Sequence, residues 1–300
     1  MSTPATDIAR RTDRPGAAHR VPVRVAVADP GWRGDLRTAG MIWQREILRF
    51  LRAKVRIATG FAQPLLFLVV LGAGLGPLVG ESGGVGFRQF VFPGVVAMGI
   101  VTTAMFSAVS IVWDREFGFL REMLVAPVSR SALVLGKAAG GATVATAQGG
   151  VMLVLAPVVG LRLTPSLVAG VLGAGLLMAF AMTTFGVFVA TRIRKMESFQ
   201  VVMQFLMLPM LFLSGALFPL GELPAWLTAL TRLNPLTYAV DPLRRAAFAG
   251  QDLPASALER FPTGVDAGGY TLPLWGDLAV VVAFAGVFFV LAARTFGRPD

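Results

Sequence analysis

The sequence predicts an all-α polytopic membrane protein with six transmembrane helices, and three observations carry the prediction. Of 300 residues, 55% are hydrophobic and only 15% charged, against roughly 25% charged in an average soluble domain. The apolar residues gather into six runs, each meeting the roughly 20 residues a helix needs to cross the hydrocarbon core. Those runs are too long and too uniformly apolar for the period-2 strands of an outer-membrane barrel, so the spans are helices.

Residues 1–30, rich in Arg, Pro, Ala and Thr, read as a disordered cytoplasmic tail; they contain no apolar core of the kind a signal peptide needs. A single membrane domain is expected over 31–296. It opens with an interfacial helix over 32–56, in which Trp32, Leu36, Ala39, Trp43, Ile47 and Phe50 step by three or four while Arg37, Arg45, Arg49 and Arg52 fall elsewhere around the helix. A basic amphipathic helix with such a stripe suits the headgroup layer, and this one is expected to lie flat there. The spans follow at 57–79, 90–113, 132–161, 167–190, 199–219 and 275–296. Pro64 and Pro209 should bend the first and fifth. Glycines crowd the third and fourth, among them Gly136, Gly140, Gly170 and Gly173, and such residues let helix backbones approach closely.

Between the second and third spans lies a charged segment, Trp113–Ser131. Its apolar members Trp113, Phe117, Leu120 and Leu124 recur at helical spacing, with Asp114 and Glu116 at the end where a helix favours negative charge. It reads as a short surface helix ended by Pro127, either a lever across the membrane face or a plain amphipathic connection, with Ser129 or Ser131 capping the next helix. Beyond the fifth span, Leu223, Trp226, Leu227 and Leu230 suggest one short amphipathic helix. After Leu233-Asn234-Pro235, the run Leu236–Leu243 suggests a second, broken near Asp241-Pro242. Together these external helices cover 223–246 and dip only shallowly.

Charge sets the expected orientation. The net charge of +10 is concentrated before residue 57, where 12 Lys/Arg meet 5 Asp/Glu. With both termini inside, the cytoplasmic regions hold 21 of the 27 Lys/Arg. The basic segment is expected to meet anionic lipid; no basic-aromatic module accompanies it, so nucleic acid is not an expected partner. There is no cysteine, and His19 falls in the polar tail. Ionisable residues within the spans are few: Lys137 is expected to snorkel to the cytoplasmic surface and Asp277 to sit at the external end of the last span. Neutral groups such as Gln63, Thr102, Thr103, Gln148 and Gln200 serve interhelical hydrogen bonds or line a path for a bulky amphipathic substrate. Met203, Met207 and Met210 are packing or an adaptable wall. No G-x-x-x-x-G-K-[ST], H-E-x-x-H or G-x-S-x-G occurs, which removes the usual routes to ATP, metalloprotease and serine-hydrolase chemistry. A stand-alone membrane enzyme or ion-coupled carrier is disfavoured.

The run Arg115-Glu116-Phe117-Gly118-Phe119-Leu120-Arg121-Glu122-Met123-Leu124-Val125-Ala126-Pro127, with Gly136-Lys137 after it, resembles the cytoplasmic loop of ABC-2 type transporter permeases. The nearest likeness is to the daunorubicin and multidrug resistance permease branch. A second match, Leu233-Asn234-Pro235-Leu236-Thr237-Tyr238 followed by Asp241, Pro242 and Arg244, is similar to that family's external segment. The resemblance covers about residues 40–296. It implies a multi-pass plasma-membrane export permease that pairs with a second copy or a paralogue. A separate cytoplasmic ATPase subunit, which holds ATP and Mg, would energise it, while this chain binds no cofactor and is not itself an enzyme. It further implies that 114–126 is the coupling helix, through Arg115, Glu116, Phe117, Gly118, Leu120, Arg121, Glu122 and Leu124. The helices over 223–246 would form an external lid, with Trp226, Asn234, Pro235, Tyr238, Asp241 and Arg244. The implied cargo is a hydrophobic or amphipathic drug or lipid-like natural product, that is, multidrug efflux and antibiotic resistance. A lipid-linked polysaccharide or other envelope precursor is the alternative. No substrate-contacting residue is identified.

Overall fold

The computed structural model describes residues 31–74, 86–117, 129–218, 220, 223–249, 251, 264–265 and 271–296. Among them are ten α-helices: α1 (Trp32–Arg52), α2 (Lys54–Gly74), α3 (Phe87–Ser107), α4 (Val109–Glu116), α5 (Arg130–Met152), α6 (Pro165–Ala190), α7 (Met196–Leu213), α8 (Ala225–Leu233), α9 (Pro235–Phe248) and α10 (Leu274–Thr295). Among the described residues six helical stretches are long and apolar enough to cross a membrane, supplied in turn by α2, α3 with α4, α5, α6, α7 and α10. The all-α, six-span class expected from hydropathy is what the chain adopts. The expected tail (1–30), residues 75–79 of the first span, 118–128 of the charged segment, with the expected helix end at Pro127, and 219 of the fifth span lie outside the described residues.

A helix that is apolar on every side belongs in the interior, and α3 takes that place. Phe90, Phe92, Met98, Ile100 and Met105 are wholly buried, and α3 packs on α2, α5 and α6. The α5–α6 pair forms the rest of the centre, α9 and α10 cover α6, and α1 lies along α5. By contrast α2 and α7 flank the centre with most of their surface outward, including Leu66, Val69, Val201 and Phe205. Two glycines set close approaches. A Cβ on Gly94 of α3 would stand 1.7 Å from the carbonyl oxygen of Ala216, and one on Gly170 of α6 would stand 1.9 Å from the Ala246 Cβ of α9. Any larger side chain would push these elements apart.

Several expectations need correction. The second span does not end at Trp113: after a turn at Ala108 it continues as α4 to Glu116, so Trp113–Glu116 form its last turn and not the head of a separate surface helix. The interruption has a cause, because the hydroxyls of Ser107 and Thr183 both donate to the Ala104 carbonyl, where the Ala108 N–H would otherwise bond. The third span is α-helical only to Met152, then tightens into two 3₁₀ turns and ends at Gly160, whose φ of 84° is left-handed. The second external helix is not broken at Asp241-Pro242 but runs through Pro242 to Phe248. A proline inside a helix costs about 3 kcal/mol; here Asp241 is buried and bonded on both carboxylate oxygens, to Arg245 and to the Gly264 N–H, which opposes a break.

Candidate functional site

At the α1 end of the bundle, the side of α1 that meets protein is Thr38, Ala39, Ile42 and Glu46, an i, i+4 stripe that shares Ala39 with the tryptophan stripe and is rotated from it around the helix. Trp32 and Leu36 face outward. Gly136 and Gly140 of α5 admit this stripe. A Cβ on Gly136 would lie 2.7 Å from the Ala39 carbonyl oxygen and from the Ile42 Cβ, and one on Gly140 would lie 2.7 Å from the Glu46 Cβ. Trp43 Nε1 donates to Thr143 Oγ1 (3.0 Å) at the next turn. Small residues four apart are what bring the backbones together.

Between those two glycines Lys137 does not snorkel. Its side chain is 5% exposed, and its ammonium donates to Glu46 Oε1 (2.9 Å), Ser110 Oγ (2.7 Å) and Asp114 Oδ2 (3.3 Å). A buried ammonium is tolerable when paired and fully hydrogen-bonded, and three acceptors match its three donors. Burial pushes the Glu46 carboxyl up, but the charge and hydrogen bond of Lys137, then Arg49 and Arg45, outweigh it and hold Glu46 below its ordinary range. Asp114, expected to greet a helix N-terminus, is consumed here instead. The cluster ties α1, α4 and α5 together.

Of the expected coupling residues, Arg115 and Glu116 turn to the connection between α6 and α7. Arg115 Nη1 donates to the Thr191 carbonyl (3.0 Å), and Glu116 Oε2 accepts the Met196 N–H (3.3 Å). A cation thus meets the carbonyl end of one span and a carboxylate the N–H end of the next, each at the terminus whose dipole favours it. Phe117 is exposed and rests on Trp113, with ring centroids 5.4 Å apart. Gly118, Leu120, Arg121, Glu122 and Leu124 lie outside the described residues.

Above the cluster a cavity of about 1160 Å³ opens between α1, α2, α3, α4, α5 and α7. Arg45, Arg49 and Asp114 stand at its α1 end. Phe50, Phe106, Val109, Trp113 and Phe117 give it apolar wall, and Gln63, Thr102, Thr103, Gln148 and Gln200 give it neutral polar wall. One of these polar groups has a structural task. Pro64 has no N–H for the Gly60 carbonyl four residues before it; Gln148 Nε2 donates to that carbonyl (2.7 Å), and Gln148 Oε1 accepts from Thr103 Oγ1 (2.7 Å). The expectation of interhelical hydrogen bonds from neutral groups holds at this site.

At the opposite end, the Asn234-Pro235-Leu236-Thr237-Tyr238 motif stitches α9 to the end of α7. Asn234 caps α9 through Leu236 N and donates from Nδ2 to the Met210 carbonyl (2.6 Å); Thr237 Oγ1 donates to the carbonyls of Leu213 (3.2 Å) and Thr231 (2.8 Å). Tyr238 Oη donates to the Arg232 carbonyl (2.8 Å). Buried Arg244 donates to the Gly215 carbonyl and lies 4.5 Å over the Phe90 ring. Carbonyls at the end of a membrane helix have neither helix nor water to satisfy them, and these side chains do so. Burial, only partly opposed by the charge of Asp241, lowers the Arg244 pKa to about 10. Arg245 joins Asp241 to the Leu272 carbonyl (2.7 Å) and to Asp277 (3.5 Å), so the α9 layer is also fixed to α10. Of the expected lid residues only Trp226, exposed on α8, stands outside this network; Pro235 opens α9 at its first turn.

Six spans, a basic amphipathic helix clamped along the third, an amphipathic cavity beside the second and a capped opposite end define a membrane transport protein. Among the described residues no cluster of His, Cys, Asp and Glu is arranged to hold a metal. The particular family follows from comparison: residues 38–248 match the ABC-2 type transporter family, and the chain belongs to it. It is 32% identical over 206 residues to nodulation protein J of Rhizobium leguminosarum bv. trifolii, covering 68% of this chain and 78% of that protein. It is 31% identical over 206 residues to the transport permease ycf38 of Cyanophora paradoxa, covering 67% and 71%. It is 27% identical over 222 residues to the inner membrane transport permease YadH of Escherichia coli K12, covering 71% and 84%. The chain is therefore a transport permease subunit, of a family whose permeases work with a separate ATPase subunit.

Proposed function

We propose that this permease exports hydrophobic or amphipathic compounds, drugs or lipid-like natural products, across the plasma membrane with both of its termini in the cytoplasm. The carrying observation is the cavity of about 1160 Å³, which opens at the basic α1 end and joins aromatic wall to neutral polar wall. A separate ATPase subunit, holding ATP and Mg, docks beneath it on the part of the expected 114–126 segment that follows the span, from Phe117 on, and a second copy or a paralogue pairs with it through the outward apolar surfaces of α2 and α7. In this reading Phe117, Leu120 and Leu124 are the apolar anchors and Arg121 and Glu122 the rim charges. Arg115 and Glu116 carry the motion on to the α6–α7 connection that they bond. The α8–α9 layer is the external lid.

The test is ATP turnover of the permease co-purified with its ATPase in lipid nanodiscs, across a panel of lipophilic compounds. Cargo raises turnover in the wild type, and Phe117→Ala or Glu116→Arg lowers that stimulation by about tenfold, the equivalent of about 1.4 kcal/mol. Unchanged assembly and stimulation in both variants would remove the coupling role from this segment. No stimulation by any apolar compound would turn attention to polysaccharide-linked cargo.

A further inference from the structure

We propose that the cavity selects amphiphiles with an anionic head, a phosphate or a carboxylate, seated on Arg45 and Arg49 with the apolar part running between α2, α3 and α7. This rests on the transport reading and narrows it. The argument begins with charge. Where the cavity meets the cluster, Arg45, Arg49 and Lys137 face, among the described residues, Glu46 and Asp114, three positive charges against two negative. Both carboxylates are committed to Lys137 at hydrogen-bond distance.

The arginines, by contrast, are under-bonded. Arg45 reaches Asp114 only at 3.6 Å and Glu46 at 3.9 Å, and Arg49 reaches Glu46 at 3.9 Å, all beyond the range of a good hydrogen bond. Nε and Nη2 of Arg45 are shut off from solvent with no hydrogen-bond partner among the described residues. Such orphaned donors are costly to keep, and a guanidinium fork matches the paired oxygens of a carboxylate or phosphate. The Arg45 side chain is 41% exposed where it lines the cavity, so rotation about its terminal bonds turns those donors toward an incoming anion.

The remaining wall fits the other half of such a ligand. From Phe117 to Thr102 the α4–α3 span rises about 22 Å at 1.5 Å per residue, and along it Trp113, Val109 and Phe106 present apolar surface. Among the described residues the wall holds no acidic group besides Asp114, so a cationic amphiphile meets no free carboxylate and two arginines. Anionic heads are favoured and cationic heads repelled by the same pair of side chains.

Two sources supply this chemistry, an exported anionic amphiphile and an anionic membrane lipid, and the test separates them. The full-length permease with its ATPase, in phosphatidylcholine nanodiscs, is labelled without ATP by a dodecyl phosphate bearing a mid-chain diazirine. Label is read by mass spectrometry on the peptide holding Phe106 and Trp113. Unlabelled dodecyl phosphate should compete about tenfold better than dodecyltrimethylammonium or dodecyl maltoside. The paired variant R45Q/R49Q should cut labelling by a similar factor, while R45K/R49K retains more of it. Because Arg45 pairs with the cluster, R49Q alone, which leaves Lys137 and its three acceptors intact, guards against misfolding; labelling should still fall severalfold while its melting temperature holds. Equal competition by the three head groups, or undiminished labelling in R49Q and R45Q/R49Q, overturns the proposal. ATP-driven movement of the probe between leaflets assigns the site to cargo. Labelling that phosphatidylglycerol abolishes, with no such movement, assigns it to a resident lipid. Movement with no preference among head groups sinks the charge selectivity and leaves the transport reading standing. Labelling with no movement of any amphiphile does the reverse.

Discussion

Replacing Lys137 by Met keeps the length and apolar volume of the side chain and removes its charge, so the loss isolates the ammonium. At an effective dielectric of about 20, its contacts at 2.9 and 3.3 Å are each worth about 5 to 6 kcal/mol before desolvation is counted. Most of that is offset by the cost of burying the three charged groups, and breaking one partner of a buried pair leaves a net loss of about 3–5 kcal/mol. Unfolding in mixed micelles should show this loss. The variant K137M/E46Q/D114N should recover most of it, since no carboxylate is then left buried beside an apolar side chain. The two proteins should also differ in pH response. Glu46 is held below its ordinary value of about 4.5 in the wild type, so its contribution is present above that value and lost as the pH falls through the lower folded pKa. Without Lys137 burial meets less opposition, and the deficit of K137M should shrink as acid protonates Glu46. A K137M protein within about 0.5 kcal/mol of wild type, the scatter of ordinary surface substitutions, would refute the cluster as the clamp of α1.

Other consequences are as direct. Gln148→Leu strands the Gly60 carbonyl and should cost about 1–3 kcal/mol, and Pro64→Ala, which returns an N–H to that carbonyl, should recover part of it in a double-mutant cycle of unfolding energies. Gly140→Val should lift α1 from α5. Because the sequence has no cysteine, a Trp43→Cys/Thr143→Cys pair reports this cleanly, as a cross-link by a short bis-maleimide that forms in the parent and is lost in the Gly140→Val protein. Asn234→Ala removes both the α9 cap and the bond to the Met210 carbonyl; hydrogen exchange at the amides of Leu236 and Thr237 should rise about tenfold.

What could be read from the sequence was whatever hydropathy and turn chemistry write locally. Six apolar runs and the Asn234-Pro235 punctuation marked the spans and the external helix pair, because length, capping and proline restrict the backbone wherever they occur. The clamp of α1 was not local. Lys137 stands near a helix end and invites the snorkelling reading; what overrides it is Glu46 arriving from α1, 91 positions away in sequence. A signal was present in the Thr38, Ala39, Ile42, Glu46 stripe, which faces the two glycines that bracket Lys137. It was masked by the more conspicuous tryptophan stripe, which shares Ala39 with it but is centred elsewhere around the same helix. Asp114 and Glu116 were likewise read by proximity to a helix start. The span in fact continues to Glu116, which sends Asp114 inward to Lys137 and Glu116 to the Met196 N–H. Pro242 shows the opposite error, a local rule outweighed by the buried bonds of Asp241.

Between α1 and α2 stands one non-helical residue, Ala53. With α1 held against α5 by glycines and charge, that corner is a pivot with a long outer arm, for α2 has 21 residues and a length of about 31 Å. Geometry then sets a displacement ratio: each degree of rotation at Ala53 carries the Gly74 end through about 0.5 Å, and ten degrees through about 5 Å, roughly one helical turn. The wall that carries Thr59, Gly60 and Gln63 would swing with it, held partway by the bond from Gln148 to Gly60 and at the far end by the bond from Arg88 Nε to the Gly72 carbonyl (3.1 Å), so widening the cavity requires both bonds to give.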